Sequence, residues 1–195
     1  MNYLDLFLKG EPFPSSFQIY IRKSELTKTD EDIFNQLGWN DYTKIENHDS
    51  DYLDELGDYF CVTECENWIH LIDSSWCPLY YKIIDNPNEI KEFEGLEIFK
   101  EVFGFFFYFE MIDEYAFYYI RDGILKRYYR LYQLPGTADK LYNTHNIGEP
   151  MPGERPECRT DDGIEYLSAI LEALNITIDT NLENARLYKL NDLEF

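Results

Sequence analysis

The sequence predicts an α+β protein, in which a mainly antiparallel sheet of five or six strands carries two or three packed helices. Short alternating or fully apolar runs, separated by turn residues, are typical of strands that follow one another as hairpins. Other stretches combine capping residues with apolar positions at helical spacing, which favours helices beside the sheet. No linker divides two cores, so we expect a single domain over residues 1–195.

The composition indicates a folded protein with a strongly acidic surface. Hydrophobic residues make up 45% of the chain and aromatic residues 17%, which argues against disorder. The 38 acidic and 17 basic residues leave a formal net charge of -21. A field of that sign repels nucleic-acid backbones and anionic membranes. We therefore expect a basic protein as partner, with no direct nucleic-acid binding and no membrane association.

The first residues and the longest apolar run predict a cytoplasmic protein. Residues 1–6 contain no basic segment of the kind that opens a secretory signal. The run Phe103–Phe109 is far shorter than the about 20 residues that a membrane-spanning helix needs. In a reducing compartment we expect all four cysteines to be unpaired thiols. They are Cys61, Cys65, Cys77 and Cys158.

Residues 1–57 predict a strand, a helix and an acidic loop. The alternation in 17–21 indicates the strand. Thr29 is a suitable N-cap for the helix, which has three acidic residues in its first turn and ends at Gly38. The polar residues 40–58 indicate the loop.

Residues 58–133 predict the core of the sheet. We expect strands at 59–63 and 68–72 and a helix at 88–102. The run Phe103–Phe109 is apolar without alternation, which is typical of a central strand buried on both faces.

The dipeptide Asp122-Gly123 predicts a two-residue hairpin turn between strands at 115–121 and 124–133, because it readily adopts the positive φ angles of a type I′ turn. Such a turn sets the register of the two strands. Tyrosines should then face cations and form cation–π pairs, an interpretation that we favour over a surface for stacking nucleic-acid bases. The expected pairs are Tyr119 with Lys126, Tyr118 with Arg127, and Tyr115 with Arg130.

Residues 134–159 predict a long loop, because they contain four prolines, three glycines and no clear period. Residues 160–195 predict a helix and an edge strand. Thr160 is a suitable N-cap, and apolar residues between Ile164 and Leu174 share one helix face. The edge strand is expected at 186–190.

The segment 45–81 contains many acidic residues and no Lys or Arg. Charge runs are usually solvated surface, but such surfaces normally intersperse both signs. We therefore expect a docking face for a basic partner, with Tyr52 and Trp76 as aromatic anchors and the stiff loop Gly148–Glu154 as a further contact. The candidate partner-binding residues are Glu46, Asp49, Asp51, Tyr52, Asp54, Glu55, Asp58, Glu64, Glu66, Trp76, Glu149 and Glu154.

No catalytic, metal or cofactor site is predicted. A thiol nucleophile with a base could be imagined from Cys61, Cys65, His70 and Asp73, but a lone histidine between apolar neighbours is more often a core residue. The stretch 49–54 lacks the glycine of a calcium loop, and the Cys and His spacings match no zinc site.

Four features follow one another along residues 58–175. They are Trp68 to Asp73, an aromatic strand, a Tyr-rich hairpin closed by Asp122-Gly123 with a basic second strand, and Gly148-Glu149-Pro150-Met151-Pro152-Gly153-Glu154. This order resembles small acidic bacterial proteins that act as immunity partners of polymorphic toxins. The resemblance implies tight, non-enzymatic inhibition of a basic toxin.

The sequence leaves two further functions open. A phage- or plasmid-encoded mimic of nucleic acid, which blocks a DNA-binding defence enzyme, needs carboxylates in rows on the order of 7 Å apart. A small enzyme needs a pocket with convergent titratable groups, for which the sequence contains no recognisable motif.

Overall fold

A computed structural model of the chain describes residues 15–45, 59–73, 95–108, 113–133, 141–154, 163–176 and 185–191. These residues form one antiparallel sheet of nine strands, two α-helices and a short 3₁₀ turn. The strands are β1 (Ser15–Arg22), β2 (Tyr42–Ile45), β3 (Tyr59–Cys65), β4 (Trp68–Asp73), β5 (Glu101–Tyr108), β6 (Asp113–Arg121), β7 (Ile124–Gln133), β8 (Leu141–Gly148) and β9 (Arg186–Leu190). The helices are α1 (Asp30–Gln36) and α2 (Gly163–Ala173), and the 3₁₀ turn is Leu96–Ile98.

The strand order across the sheet is β2-β9-β3-β4-β1-β5-β6-β7-β8. The α+β class and the antiparallel pairing are confirmed, whereas the expected number of five or six strands is wrong. Two strands, β2 and β8, lie where loops were expected, within 40–58 and 134–159. Both are outer strands with exposed polar side chains such as Thr43 and Asn146, so the apolar alternation that indicates a strand is missing.

Strand β9 forms at the predicted residues, 186–190, but it is not an edge strand. It pairs with β3 on one side and with β2 on the other. Its buried Leu187 and Tyr188 contribute to opposite faces of the sheet. The prediction failed because a short strand at the end of a sequence carries no signal for the neighbours that it will pair with.

Each face of the sheet buries its own apolar core, and each core includes one helix. This is the layered arrangement expected of an amphipathic helix on a sheet. The first core joins Phe17, Ile19 and Ile21 of β1 to Ile33 and Phe34 of α1. The second core joins Phe103, Phe105 and Phe117 to Leu167, Ile170 and Leu171 of α2.

Helix α1 begins as the sequence predicts. Thr29 Oγ1 accepts a hydrogen bond from Asp32 N at 3.1 Å, and Asp32 Oδ2 accepts one from Thr29 N at 2.9 Å. This reciprocal capping box satisfies two backbone donors that the helix would otherwise leave open. Helix α2 also forms as predicted, while its expected cap, Thr160, lies outside the described residues.

The helix expected at 88–102 is wrong for the part of that segment that the structure describes. Residues 95–102 form the 3₁₀ turn and the first residues of β5. Gly95 has a φ angle of 97°, which an α-helix cannot contain. Residues 88–94 lie outside the described ranges.

Strand β5 confirms the predicted buried strand. It pairs with β1 and β6, and every residue from Val102 to Phe106 is buried. The side chains of Phe107 and Tyr108, and the whole of Phe109, lie outside the described part of the chain. Gly104 leaves space for the ring of Tyr118 on β6, because a Cβ atom at this position would collide with that ring.

Replacing Gly104 by alanine should therefore destabilise the fold by about 2–3 kcal/mol, since the buried ring of Tyr118 would have to move. Urea unfolding of G104A and wild type measures this loss. The same substitution should cost much less in a Y118L background, where the ring is gone. Equal losses in the two backgrounds would contradict the packing explanation.

Candidate functional site

Three large apolar side chains are exposed at one end of the sheet. Leu26 is 51% exposed, Ile98 41% and Ile124 56%. They come from the β1–α1 connection, the 3₁₀ turn and the first residue of β7. The hairpin turn holds two of these segments together, because Asp122 N donates a hydrogen bond to Lys100 O at 2.8 Å. We call these three side chains the apolar patch.

Carboxylates border two side chains of the apolar patch. Leu26 and Ile98 line a shallow depression of about 370 Å³, which also includes Gly123, the residue before Ile124. Three acidic residues and one lysine line the same depression. They are Glu25, Glu97, Asp122 and Lys100. An apolar centre with a charged, solvent-exposed border is the usual anatomy of a protein-binding surface.

A second concave region lies on the other side of the hairpin turn. This cleft has a volume of about 760 Å³. Its walls are the start of β7, the loop 148–152, the end of α2 and the side chain of Arg22. Ionisable side chains of both signs line it: Arg22, Arg121, Lys126 and Arg127, with Glu101 and Glu149. We call the cleft and the apolar patch together the end surface.

The carboxylate of Glu101 is held by a tyrosine at the cleft. Tyr119 Oη donates a hydrogen bond to Glu101 Oε1 at 2.5 Å. Burial and the hydrogen bond to Glu101 together raise the pKa of Tyr119 to about 12. The phenol therefore stays protonated at neutral pH and continues to donate to the carboxylate.

The hairpin between β6 and β7 has the predicted turn but not the predicted register. Asp122 and Gly123 have φ angles of 52° and 72°, as expected for the turn. Ile120 pairs with Leu125, but Tyr119 pairs with Arg127, so Lys126 is the extra residue of a β-bulge. Beyond the bulge the expected pairs are wrong by one residue. Tyr118 faces Tyr128 and Tyr115 faces Leu131.

The bulge moves Arg127 to the second core. Its guanidinium carbon lies 5.2 Å from the ring centre of Tyr129 and 5.9 Å from that of Phe117. Arg127 therefore does form cation–π contacts, but with Tyr129 and Phe117 and not with the expected Tyr118. The predicted register would have placed Arg127 beside Tyr118, in the first core, away from the carboxylate that neutralises it.

Arg127 and Glu154 form a buried ion pair. The two side chains are only 2% and 4% exposed. Arg127 Nε donates to Glu154 Oε2 at 2.9 Å, and Nη2 donates to Oε1, so the contact is bidentate. Nη1 donates to Asn146 Oδ1 at 2.6 Å and to two backbone carbonyls of residues 147 and 148. This network satisfies the guanidinium inside the protein.

The loop 148–154 is fixed to the body of the protein at several points. Glu154 Oε2 also accepts a hydrogen bond from Met151 N at 2.7 Å, and Met151 is buried in the second core. Gly148 and Gly153 allow close backbone contacts, since a Cβ atom would collide with the carbonyl of Lys126 in the first case and of Ala169 in the second. The loop therefore holds Glu149 and Pro150 in fixed, exposed positions.

Of the sequence-predicted partner-binding residues, Glu64, Glu66, Glu149 and Glu154 lie in the described ranges. Glu66 and Glu149 are exposed. Glu154 is not available to a partner, because its carboxylate is buried against Arg127. The remaining predicted residues lie outside the described ranges. They are Glu46, Asp49, Asp51, Tyr52, Asp54, Glu55, Asp58 and Trp76.

Glu64 is exposed, but it is not isolated from positive charge. Its carboxylate lies 2.6 Å from Lys23 Nζ and 3.4 Å from Arg186 Nη2. The hydrogen bond from Lys23 lowers the pKa of Glu64. The segment 45–81 contains no cation of its own, but at Glu64 the fold supplies two from elsewhere in the chain. Lys23 follows β1, and Arg186 lies on β9.

The imagined catalytic group is part of the core. Cys61 and Cys65 are buried thiols, and His70 is 1% exposed. His70 Nε2 is 2.8 Å from Gln18 Oε1, and its ring stacks on Tyr20 with 4.0 Å between centres. Burial lowers the pKa of His70 to about 3. These contacts favour a structural role for His70.

Metal-binding groups and helices that could cross a membrane are both absent from the described residues. They contain no group of three or more His, Cys, Asp or Glu side chains that could hold a metal ion. Among the helices of this part of the chain, none has the length and apolar character needed to cross a membrane. Cys77 and Cys158 lie outside the described ranges.

Sequence reasoning missed both the apolar patch and the cleft. Their residues come from segments near 24–26, 97–101, 119–127, 148–152 and 173–175, which only the fold brings together. The one local signal is Ile124, an apolar residue directly after a hairpin turn, where polar residues are more usual.

Removing the carboxylate from the buried ion pair should be costly. E154Q leaves the buried charge of Arg127 without its counter-charge and should lower the free energy of unfolding by about 3 kcal/mol. Urea unfolding measures it. As a matched control, E25Q removes an exposed pair with Lys28, at 2.5 Å, and should cost less than about 1 kcal/mol. Equal losses of unfolding free energy in E154Q and E25Q would show that the buried pair stabilises the fold no more than the exposed one.

The buried histidine should make stability depend on pH. The folded-state pKa of about 3 lies below the ordinary value of 6.5, so unfolded chains bind the proton more readily. The contribution of neutral His70 to the free energy of unfolding is fully present above pH 6.5 and is lost as the pH falls towards 3. Between pH 7.5 and 5 the wild type should lose about 2 kcal/mol more than H70Q, which is measured by urea unfolding at each pH. Parallel pH profiles of the two proteins would be inconsistent with this explanation.

Comparison with known proteins identifies no relative, since no protein-family model, no curated protein and no solved structure matches the chain. The function is therefore inferred from the geometry and charge of the end surface.

Proposed function

We propose that the chain is a non-enzymatic inhibitor of a basic protein, an immunity protein that neutralises a toxin by docking onto it. The observation that carries the proposal is the apolar patch with its acidic border. Two of its exposed side chains, Leu26 and Ile98, line a depression with Glu25, Glu97 and Asp122, and the third, Ile124, directly follows the hairpin turn.

The two parts of this surface have different roles in binding. Exposed apolar side chains supply the contact area that becomes buried in a complex. The carboxylates, with the net charge of -21 behind them, attract a basic partner and speed the encounter. A basic toxin has the complementary charge.

The rigidity of the end surface supports the same function. The hairpin turn is hydrogen-bonded to Lys100, and the neighbouring loop is fixed by Glu154 and Met151. A surface that is already ordered loses little conformational entropy on binding, which favours a tight complex.

The acidic segment 45–81 remains a predicted second contact. Asp51, Tyr52 and Asp54, near its start, lie outside the described ranges. A partner that covers the end surface and this segment would combine apolar contact with charge attraction.

The nucleic-acid mimic is the less favoured alternative. Such a mimic needs ordered rows of carboxylates, whereas the described end surface has isoleucine and leucine side chains at its centre. Apolar groups of this size match a protein partner better than they match the phosphate positions of DNA. A small enzyme has no specific observation in its favour.

The test uses the protein encoded by the neighbouring gene as the candidate partner. Co-expression should restore growth of cells that this protein kills, and the two purified proteins should form a complex. The double variant I98S/I124S should raise the Kd at least about tenfold, because it removes apolar side chains from the centre of the contact. Its melting temperature should change little, since both side chains are exposed. T43A, on the outer strand β2, is the control and should bind like wild type.

A second arm separates the two predicted contacts. Replacing Asp51, Asp54 and Glu55 by lysine should lower the association rate and weaken its dependence on salt, because steering between opposite charges is screened by ions. Failure of the neighbouring protein to bind would refute the immunity proposal. Binding that I98S/I124S leaves unchanged would place the interface away from the apolar patch.

A further inference from the structure

The cleft beside the hairpin turn contains three cations from three different strands. Arg22 ends β1, Arg121 ends β6 and Lys126 is the bulged residue of β7. None of the three forms an ion pair with any residue that the structure describes.

Four other cations in the described part of the chain have carboxylate partners. Lys23, Lys28, Arg127 and Arg186 each lie within ion-pair distance of an acidic residue. Acidic residues outnumber basic ones by 38 to 17, so a carboxylate partner is easy to supply. Three cations that share one cleft without such a partner are therefore available to an external anion.

The fold holds the side chain of Arg22 and the backbones of Arg121 and Lys126 in place. The guanidinium carbon of Arg22 lies 5.0 Å from the ring centre of buried Trp68, a cation–π contact that leaves its N–H donors available. The backbone of Arg121 pairs with Ile124 at the hairpin turn, and the bulge at Lys126 lies against Gly148. Binding an anion therefore requires little rearrangement of the backbone.

The negative groups of the cleft are partly satisfied within the protein. The carboxylate of Glu101 accepts the hydrogen bond from Tyr119. Near the end of α2, the carbonyl of Leu171 accepts a hydrogen bond from Ile176 N at 2.8 Å, and that of Glu172 accepts one from Asn175 N at 3.0 Å. Arg127 and Glu154 neutralise each other. Glu101 lies opposite Arg121 on the neighbouring strand, and Glu149 also lines the cleft, so the three cations share it with two carboxylates.

We propose that this cleft binds a small organic oxyanion, with a carboxylate or phosphate group on Arg22, Arg121 and Lys126. The apolar side chains of Ile124, Leu125 and Leu174 also line the cleft and would contact an apolar body of the ligand. Its volume of about 760 Å³ lies in the range of sites for small molecules. The proposal does not depend on the immunity function, because it needs no protein partner.

The experiment titrates the full chain with two anionic probes and one neutral probe of similar shape. Phenyl phosphate and benzoate represent the two oxyanions, and benzamide is the neutral control. Calorimetry should detect binding of at least one anion, and NMR should show shifts of the backbone amides of residues 121–126. The anion that binds more tightly identifies the source of the oxyanion, phosphate or carboxylate. Higher salt should weaken the binding.

The variants assign the binding to the cleft. R121Q/K126Q should weaken the binding of the preferred anion by about tenfold or more, since two charge-assisted contacts are lost. K44Q removes an exposed cation from the outer strand β2, far across the sheet, and should have no effect. Circular dichroism of both variants verifies that they fold.

Three results would overturn the proposal: no heat and no shifts with either anion, equal binding of benzamide, or unchanged affinity in R121Q/K126Q. Each of these results leaves docking of a basic protein on the apolar patch unaffected. Conversely, anion binding in the cleft would stand even if the neighbouring protein failed to bind.

Discussion

The buried ion pair between Arg127 and Glu154 is the contact on which the shape of the end surface depends. It joins β7 to the loop 148–154, and through that loop to α2 on the second face of the sheet. Burying two charges is favourable only where geometry and additional hydrogen bonds are good, and here the guanidinium has three further acceptors. Three features agree with the need to satisfy this buried pair. They are the bulge at Lys126, the close contact between Gly148 and the backbone of Lys126, and the hydrogen bond from Met151 to Glu154.

The same arrangement places surfaces of opposite character on the two sides of one hairpin turn. One side has Leu26 and Ile98 bordered by carboxylates, and the other has Ile124 beside three cations. The chain has a net charge of -21, so its average composition does not explain why cations collect on one side of the turn. It comes from the strand ends that the fold brings to this edge, and it gives the protein two regions with different ligand preferences.

Features that depend on neighbouring residues in the chain could be predicted from the sequence. The N-cap at Thr29, the turn at Asp122-Gly123 and the buried strand β5 follow from local patterns. Features that depend on distant contacts could not be predicted. The bulge that displaces Arg127 requires Glu154, and the polar strand β8 is recognisable only by its backbone pairing with β7. The apolar patch and the cleft are assembled from several separate segments, so no window of sequence contains either of them.

The position of β9 has a consequence for how the protein is made in the cell. Residues 186–190 lie between β2 and β3, and in the described sheet β2 is attached through β9 alone. During synthesis β2 leaves the ribosome early, but its place in the sheet is created only after β9 has followed. Strand pairing over so long a sequence separation is slow. The order of translation therefore leaves β2 without its partner strand until β9 has been synthesised.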